Sequence, residues 1–198
     1  GHDKNQKDIT YENTQARLRT MILMNTANLE GGLVVGTSDM SEVALGWSTF
    51  NGDQMAMYGI NSGLTKTVVR QMVSYFRMIY PEIKEVLDSV LELPISPELT
   101  DKQQTESVIG EYTINDFILY RFLVNGDSED RIAYLLKKAM KLSDEEAQIY
   151  VSRFYKRFYQ QQYKRLTMPE GIKILNLSLS PRTETRITGD TYKPNKQK

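Results

Sequence analysis

The distribution of apolar positions divides the chain into helical stretches set around one short apolar run. Thr10 to Asn28 reads as a helix, with Thr10 as its cap and Leu18, Ile22 and Leu29 on one stripe. Leu33-Val34-Val35, closed by Gly36-Thr37, suits a strand buried on both faces, as in a parallel sheet, better than a helix too short to stand. Asp39, followed by Glu42 and then Ala44-Leu45, predicts a capped helix start directly after that strand. From Lys66 to Tyr80, the residues Val69, Met72, Val73, Phe76 and Tyr80 recur at helical spacing, with Thr65 placed as cap and Pro81 as stop. The methionines of that helix, Met72 and Met78, read as core or subunit interface rather than a cofactor box. A short helix is predicted from Pro81 to Leu91, and the prolines of Leu93-Pro94-Ile95-Ser96-Pro97 then exclude regular structure. Thr100 to Glu106 is polar and expected to be mobile.

Further helices follow: Asn115 to Val124, ended by Asn125-Gly126, and another from Asp127 or Ser128 through Met140. Ser143 with Glu146 forms a capping box for a long helix reaching about Tyr163, with Ala147, Tyr150, Phe154 and Phe158 as its buried stripe. Leu175 to Leu179 alternates as a short strand would, while residues 1–8 and 186–198 are polar and expected to be poorly ordered.

Composition narrows the chemistry. With 198 residues, 40% of them hydrophobic, the chain can bury a core as one unit, and its 25 basic against 25 acidic residues give no global field for nucleic acid or membrane. There is no cysteine, which removes disulfides, thiolate metal sites and cysteine nucleophiles. His2 is the single histidine, which argues against a Ser-His-Asp site or a multi-histidine zinc site. No apolar run is long enough to span a bilayer and no signal-peptide pattern opens the chain, so a cytoplasmic protein is expected.

Candidate chemistry collects between Gly31 and Arg70. A strand that ends in a small-residue turn at a helix N-terminus is where open α/β sheets bind phosphate-bearing ligands. Glu42 serves either as the second half of a capping box or as a ligand-site carboxylate. Lys66, in a first helical turn, opposes the helix dipole and needs an anion, which is either a phosphate or the carboxylate of Asp53 or Glu42. Asn13 and Arg17 share a helical face, and Trp47 stands alone in a polar, glycine-bounded stretch. Arg153, Lys156, Arg157, Lys164 and Arg165 gather toward the end of the long helix, where a helix C-terminus attracts cations in any case.

The stretch GTSDMSEVALGWSTFNGDQMAMYG, preceded by TYENTQARLR and followed by LTKTVVR, resembles the NAD synthetases of the glutamine-dependent type, which read GTxDxSExALG(W/Y)xTxNGD here. The similarity continues through PISPEL, ESVIGEYTINDF, QQYKR and LSLSPR. The family's SGGxDS pyrophosphate-binding loop lies upstream of TYEN and occurs nowhere in the chain, so the resemblance implies that residues 1–198 are the C-terminal part of one synthetase domain. The implied fold is α/β, the distal part of a doubly wound parallel sheet (adenine nucleotide alpha-hydrolase-like), mostly helical in this piece.

The implied activity is an ATP-dependent amidoligase reaction. The carboxylate of deamido-NAD is adenylated with release of pyrophosphate, and ammonia then displaces AMP. ATP and Mg²⁺ are the implied cofactors. By the resemblance Asn13, Arg17, Glu42, Trp47, Ser48, Thr49, Phe50 and Lys164 face deamido-NAD. Thr37, Lys66 and Ser96 face ATP, Glu42 touches the metal, and Glu42 and Lys66 are the catalytic pair. Gln54 and Ser38 depart from the family's usual His and Gly, and Tyr163 stands where the family often has an aromatic or His. The implied partners are an upstream synthetase segment, a glutaminase domain supplying ammonia, and a second copy of the chain, with no nucleic acid and no membrane. The piece alone is expected to be inactive. Alternatives are another ATP-pyrophosphatase amidoligase, such as a GMP- or asparagine-synthetase relative, or a non-catalytic helical interaction module.

Overall fold

Short polar side chains set where the helices begin. The computed structural model describes residues 3, 6–93 and 105–193. Asp8, with extended backbone at φ −101°, accepts from the N–H groups of Thr10 and Tyr11 and opens α1 (Ile9–Glu30), so the cap lies before Thr10. The chain then crosses β1 (Val35–Gly36) into α2 (Met40–Leu45), which is capped by Asp39 in a complete capping box with Glu42. After β2 (Tyr58–Gly59), Thr65 caps α3 (Lys66–Ile79), and Pro81 turns the chain through a 3₁₀ segment into α4 (Lys84–Glu92). Following α5 (Thr105–Ile109) come α6 (Tyr112–Leu123), α7 (Glu129–Met140) and α8 (Asp144–Gln160), then the single turn of α9 (Gln162–Arg165).

The core lies where α6, α7 and α8 enclose α2. Met40, Leu45, Ile118, Leu119, Ile132, Leu136, Val151, Phe154 and Phe158 are buried there. Phe122 rests between Tyr155 and Phe158, at ring separations of 4.7 and 5.4 Å. Each such side chain contributes about 1.5–3 kcal/mol on burial. The result fixes α2 rigidly: all its residues but Glu42 are buried. β1 and β2 pair in parallel, Val35 opposite Tyr58 and Gly36 opposite Gly59, and Gly59 makes a further parallel bridge to Gly171.

Several expectations are corrected. The apolar run was expected to be a strand buried on both faces. The strand is instead only two residues long; its Val35 is 48% exposed and Leu33, just before it, is 61% exposed, because β2 is its sole neighbour in the sheet among the described residues. The α1 stripe of Leu18, Ile22 and Leu29 is also exposed; α1 buries Ala16 alone. No residue of α3 or α4 is buried, so the periodic stripe of α3 is not core. Residues 175–179 form no strand, and they sit against the core through Leu177 and Leu179. The long helix stops at Gln160 rather than Tyr163, α6 begins at Tyr112, and α5 occupies part of the stretch expected to be mobile. Pro94 to Pro97, including Ser96, lie outside the described residues.

Candidate functional site

The two ends of α2 carry opposite charge. At its N-terminus, Asp39 Oδ1 accepts from the N–H groups of Ser41 and Glu42, and Glu42 Oε2 accepts in return from Asp39 N–H. The first-turn donors are therefore spent within the protein, those of Ser41 and Glu42 on Asp39 and that of Met40 on Leu64 O, so any phosphate here must be held by side chains. Lys66 answers that charge: Nζ lies 2.6 Å from Asp39 Oδ2 and 2.7 Å from Glu42 Oε1. Of the partners weighed for Lys66, the structure selects Glu42 and adds Asp39; Asp53 instead accepts from Thr49 N–H.

A third carboxylate ties the helix starts together. Asp116 on α6 accepts from the hydroxyl of Ser41 and from the N–H and hydroxyl of Thr67, at 2.9 and 2.6 Å for the latter two. Ser41 Oγ in turn accepts from Lys66 N–H at 2.8 Å. The N-termini of α2 and α3 are thus locked into one network. Burial, followed by repulsion from Asp39, raises the pKa of Glu42 against the lowering pull of Lys66. Burial and Asp39 likewise hold Asp116 above the usual carboxylate range, although its bonds from Ser41 and Thr67 oppose this. For Lys66, burial pulls the pKa down, and Asp39 and Glu42 outweigh it to give a net rise.

At the other end, α2 leaves its last carbonyls without helical partners. Two cations take them and a third closes the turn that follows: Arg165 donates to Ala44 O (2.8 Å), Arg157 to Leu45 O (3.2 Å), and Lys164 to Gly46 O and Ser48 O beyond the helix (2.9 and 2.7 Å). Arg165 is 1% exposed; it also bonds the carbonyl of Phe158 and Gln162 Oε1 and lies 4.1 Å over the Phe158 ring. Burial lowers it to about 9. The turn itself requires Gly46, which sits at φ +57° with Gln161 filling the space where a Cβ would lie.

Beyond that turn, residues Trp47 to Phe50 form the floor onto which α1 docks. Thr49 Oγ1 donates to Asn13 Oδ1 at 2.8 Å, Arg17 Nε donates to Phe50 O at 3.3 Å, and Thr20 Oγ1 donates to Gly52 O at 2.6 Å. Phe50 also meets Tyr163, ring centres 5.3 Å apart. Gln54, the departure from the family pattern, is buried; it accepts from Ser48 and donates to Thr167, joining this loop to the end of α9. Ser38, Glu42, Gly46, Ser48 and Lys164 line one crevice between α2 and α9.

The structure therefore brings Asn13, Arg17, Ser48, Thr49, Phe50 and Lys164 around one loop, with Glu42 and Lys66 at the far end of α2. Trp47 packs against the core beneath the Arg157 guanidinium. Thr37 is exposed at the end of β1, its carbonyl held by Asn61. Sequence reading placed none of Asp39, Ser41, Thr67, Tyr112, Asp116 and Arg165 in the site. Asp39 was hidden by its evident use as a cap, and nothing local to Asp116 or Arg165 shows that their partners lie 75 and 121 residues away.

A family profile described as NAD synthase matches residues 1–168. The chain is 35% identical to a glutamine-dependent NAD(+) synthetase of Mycobacterium leprae, over 92% of this chain and 31% of that protein. It is 30% identical to the enzyme of the same name from Aquifex aeolicus, over 94% of this chain and 31% of that one. Both matches thus span under a third of the relative's length. A crystal structure of a glutamine-dependent NAD(+) synthetase from Cytophaga hutchinsonii superposes with a TM-score of 0.73 at 19% identity, covering 92% of this chain and 28% of that one. The fold is accordingly the expected distal part of an adenine nucleotide alpha-hydrolase-like sheet, mostly helical here. None of the matches favours the other amidoligases or an interaction module.

Proposed function

The chain belongs to the NAD synthase family, and we propose that it supplies the deamido-NAD side, and part of the ATP side, of an ATP-dependent amide-forming ligase. The observation that carries this reading is the convergence, on the loop following α2, of side chains from positions 13, 17 and 164 of the sequence. Asn13, Arg17, Trp47 to Phe50 and Lys164 bind deamido-NAD in this reading. Thr37 and Lys66 contact ATP.

Glu42 and Lys66 are the reactive pair. Adenylation brings a substrate carboxylate onto the α-phosphorus of ATP, and Lys66 is the cation placed to offset the charge that builds there. Lys66 is held charged by Asp39 and Glu42, which suits it to that task. No three carboxylates converge as a metal cage among the described residues. Magnesium held mainly by phosphate oxygens and water needs only one or two carboxylates, so Glu42 fits as its protein contact. The ion would supply neutralisation of phosphate charge.

The phosphate-holding SGGxDS loop is not in these 198 residues. The proposal therefore includes an upstream segment that supplies it, a glutaminase that supplies ammonia, and a cytoplasmic setting. The exposed apolar residues of α1, Met21, Ile22 and Leu23 among them, support a second copy of the chain as a partner. Ammonia-dependent NAD formation from deamido-NAD, ATP and Mg²⁺ is the test. The 198-residue chain alone should give none, whereas a chain extended upstream through such a loop should be active. In that longer protein, Lys164→Ala should raise KM for deamido-NAD far more than for ATP, and unchanged kinetics would remove Lys164 from the site. Glu42→Gln keeps the Asp39 cap, so it should cost at most about 1 kcal/mol of stability yet reduce turnover by at least about a hundredfold.

A further inference from the structure

We propose that Arg157 and Lys164 together form a phosphate-binding subsite beside the turn after α2, so that Arg157 is a binding residue of this site rather than a helix-end charge. The inference deepens the reading above and rests on it for the identity of the nucleotide.

Some basic residues elsewhere pair with carboxylates, Arg77 with Asp88, Arg121 and Arg131 with Asp127, and Lys137 with Asp144, whereas others, such as Arg70 and Arg186, each donate to a single backbone carbonyl. Arg157 and Lys164 have no ion-pair partner among the described residues. They donate to carbonyls of adjacent residues, Leu45 and Gly46, which sets the two cations side by side. Carbonyls satisfy donors without cancelling charge. Arg157 uses only Nε in this way, leaving both terminal nitrogens free to donate, and its guanidinium lies 5.4 Å over the Trp47 ring. Burial lowers the pKa of both groups. Lys164 is lowered further by Arg157 itself, and Asp53 only partly offsets this. Two neighbouring, partly desolvated cations without a counter-ion oppose each other, and a ligand bringing anionic oxygens relieves that opposition.

A second observation marks the same place. Tyr112, 2% exposed, keeps its hydroxyl buried with no hydrogen-bond partner, and it lies near enough to Arg157 to raise that group's pKa against the lowering effect of burial. A buried hydroxyl without a partner costs free energy that an incoming acceptor would recover. A guanidinium beside an ammonium suits a phosphate, since the planar fork takes two of its oxygens while the ammonium takes a third.

The test compares wild type, Arg157→Gln and Arg157→Lys in the full chain, with folding checked by circular dichroism. Gln retains a donor for Leu45 O, which protects the turn. Calorimetry with deamido-NAD and ³¹P NMR titration with inorganic pyrophosphate are the two readouts. Arg157→Gln should weaken both ligands at least tenfold, with Arg157→Lys intermediate. Deamido-NAD bound by Arg157→Gln within twofold of wild type would overturn the subsite and leave the broader reading intact. Pyrophosphate bound through Arg157, with no binding of deamido-NAD by wild type, would support the subsite and overturn the broader reading. Wild type that binds neither would overturn both.

Discussion

Replacing Arg165 tests whether cations from α8 and α9 hold α2 in place. Arg165→Met keeps most of the side-chain volume over the Phe158 ring and removes every donor. The buried carbonyls of Ala44 and Phe158 lose their bonds from Arg165, and Gln162 Oε1 loses one at 2.7 Å. Val43 O, 3.5 Å from the guanidinium, also accepts from Gly46 N–H, so it loses little. A buried acceptor left unpaired costs about 1–3 kcal/mol, which puts the loss from the two carbonyls at about 2–6 kcal/mol. Removing a buried cation returns part of that, because an ion out of water carries its own penalty of several kcal/mol. The acceptors remain after the cation has gone, so the loss should win, by about 3 kcal/mol net. Arg165→Lys keeps the charge but cannot span acceptors spread over α2, α8 and Gln162, and should recover about half. Urea unfolding followed by circular dichroism measures this, provided the slope with denaturant is unchanged between variants. A Met variant within about 1 kcal/mol of wild type would refute the reasoning, showing that the helix-end carbonyls find other donors or water.

Glu42 and Asp116 are both held above their ordinary values of 4.5 and 3.8, so just above that range the folded chain binds more protons than the unfolded chain. Their contribution to stability therefore falls as pH rises through their folded pKa values, and mild acidification favours the fold at these positions. Urea midpoints of wild type should accordingly shift less toward unfolding, as pH is lowered from neutrality toward the ordinary carboxylate value of 4.5, than those of Glu42→Gln, and equal shifts would contradict this. Asp116→Asn turns an amide donor toward the Ser41 and Thr67 donors and should cost about 2–3 kcal/mol, read from the same denaturation curves; a neutral result would show the network is dispensable. Gly46→Ala meets both a positive φ of 57° and the Gln161 side chain, and should lower stability by about 1–3 kcal/mol in a thermal melt.

What the sequence made legible was local. The capping boxes at Asp39/Glu42 and Ser143/Glu146, the Thr65 cap and the Pro81 stop are all present, because each depends on residues within one helical turn. Periodicity identified the helices but not what their apolar faces meet. The stripes of α3 and α8 look alike in sequence; α8 buries Phe154 and Phe158, whereas α3 buries nothing. Burial is decided by packing partners, which spacing alone cannot name. The same limit explains the short apolar run at Leu33 to Val35. Its composition is that of a covered strand, while coverage depends on neighbours that the described residues do not provide. In the candidate site, Lys66 and Glu42 were legible as charges in need of partners. Arg165 and Asp116 were not, since their meaning comes from acceptors and donors on other elements.

The attachment of Arg165 to α2 also governs when the site can exist. Ala44 and Arg165 are 121 positions apart in the chain. At synthesis rates of about 5–20 residues per second, the end of α2 waits roughly 6–24 s before its partner has even been made. During that interval α2 has its Asp39 cap but no donor for its final carbonyls, and the turn at Gly46 to Ser48 has no ammonium to close it. The site therefore cannot form until residue 165 has been made, long after α2 itself. A nascent chain stalled before residue 157 should expose this turn to proteases that spare it once synthesis is complete.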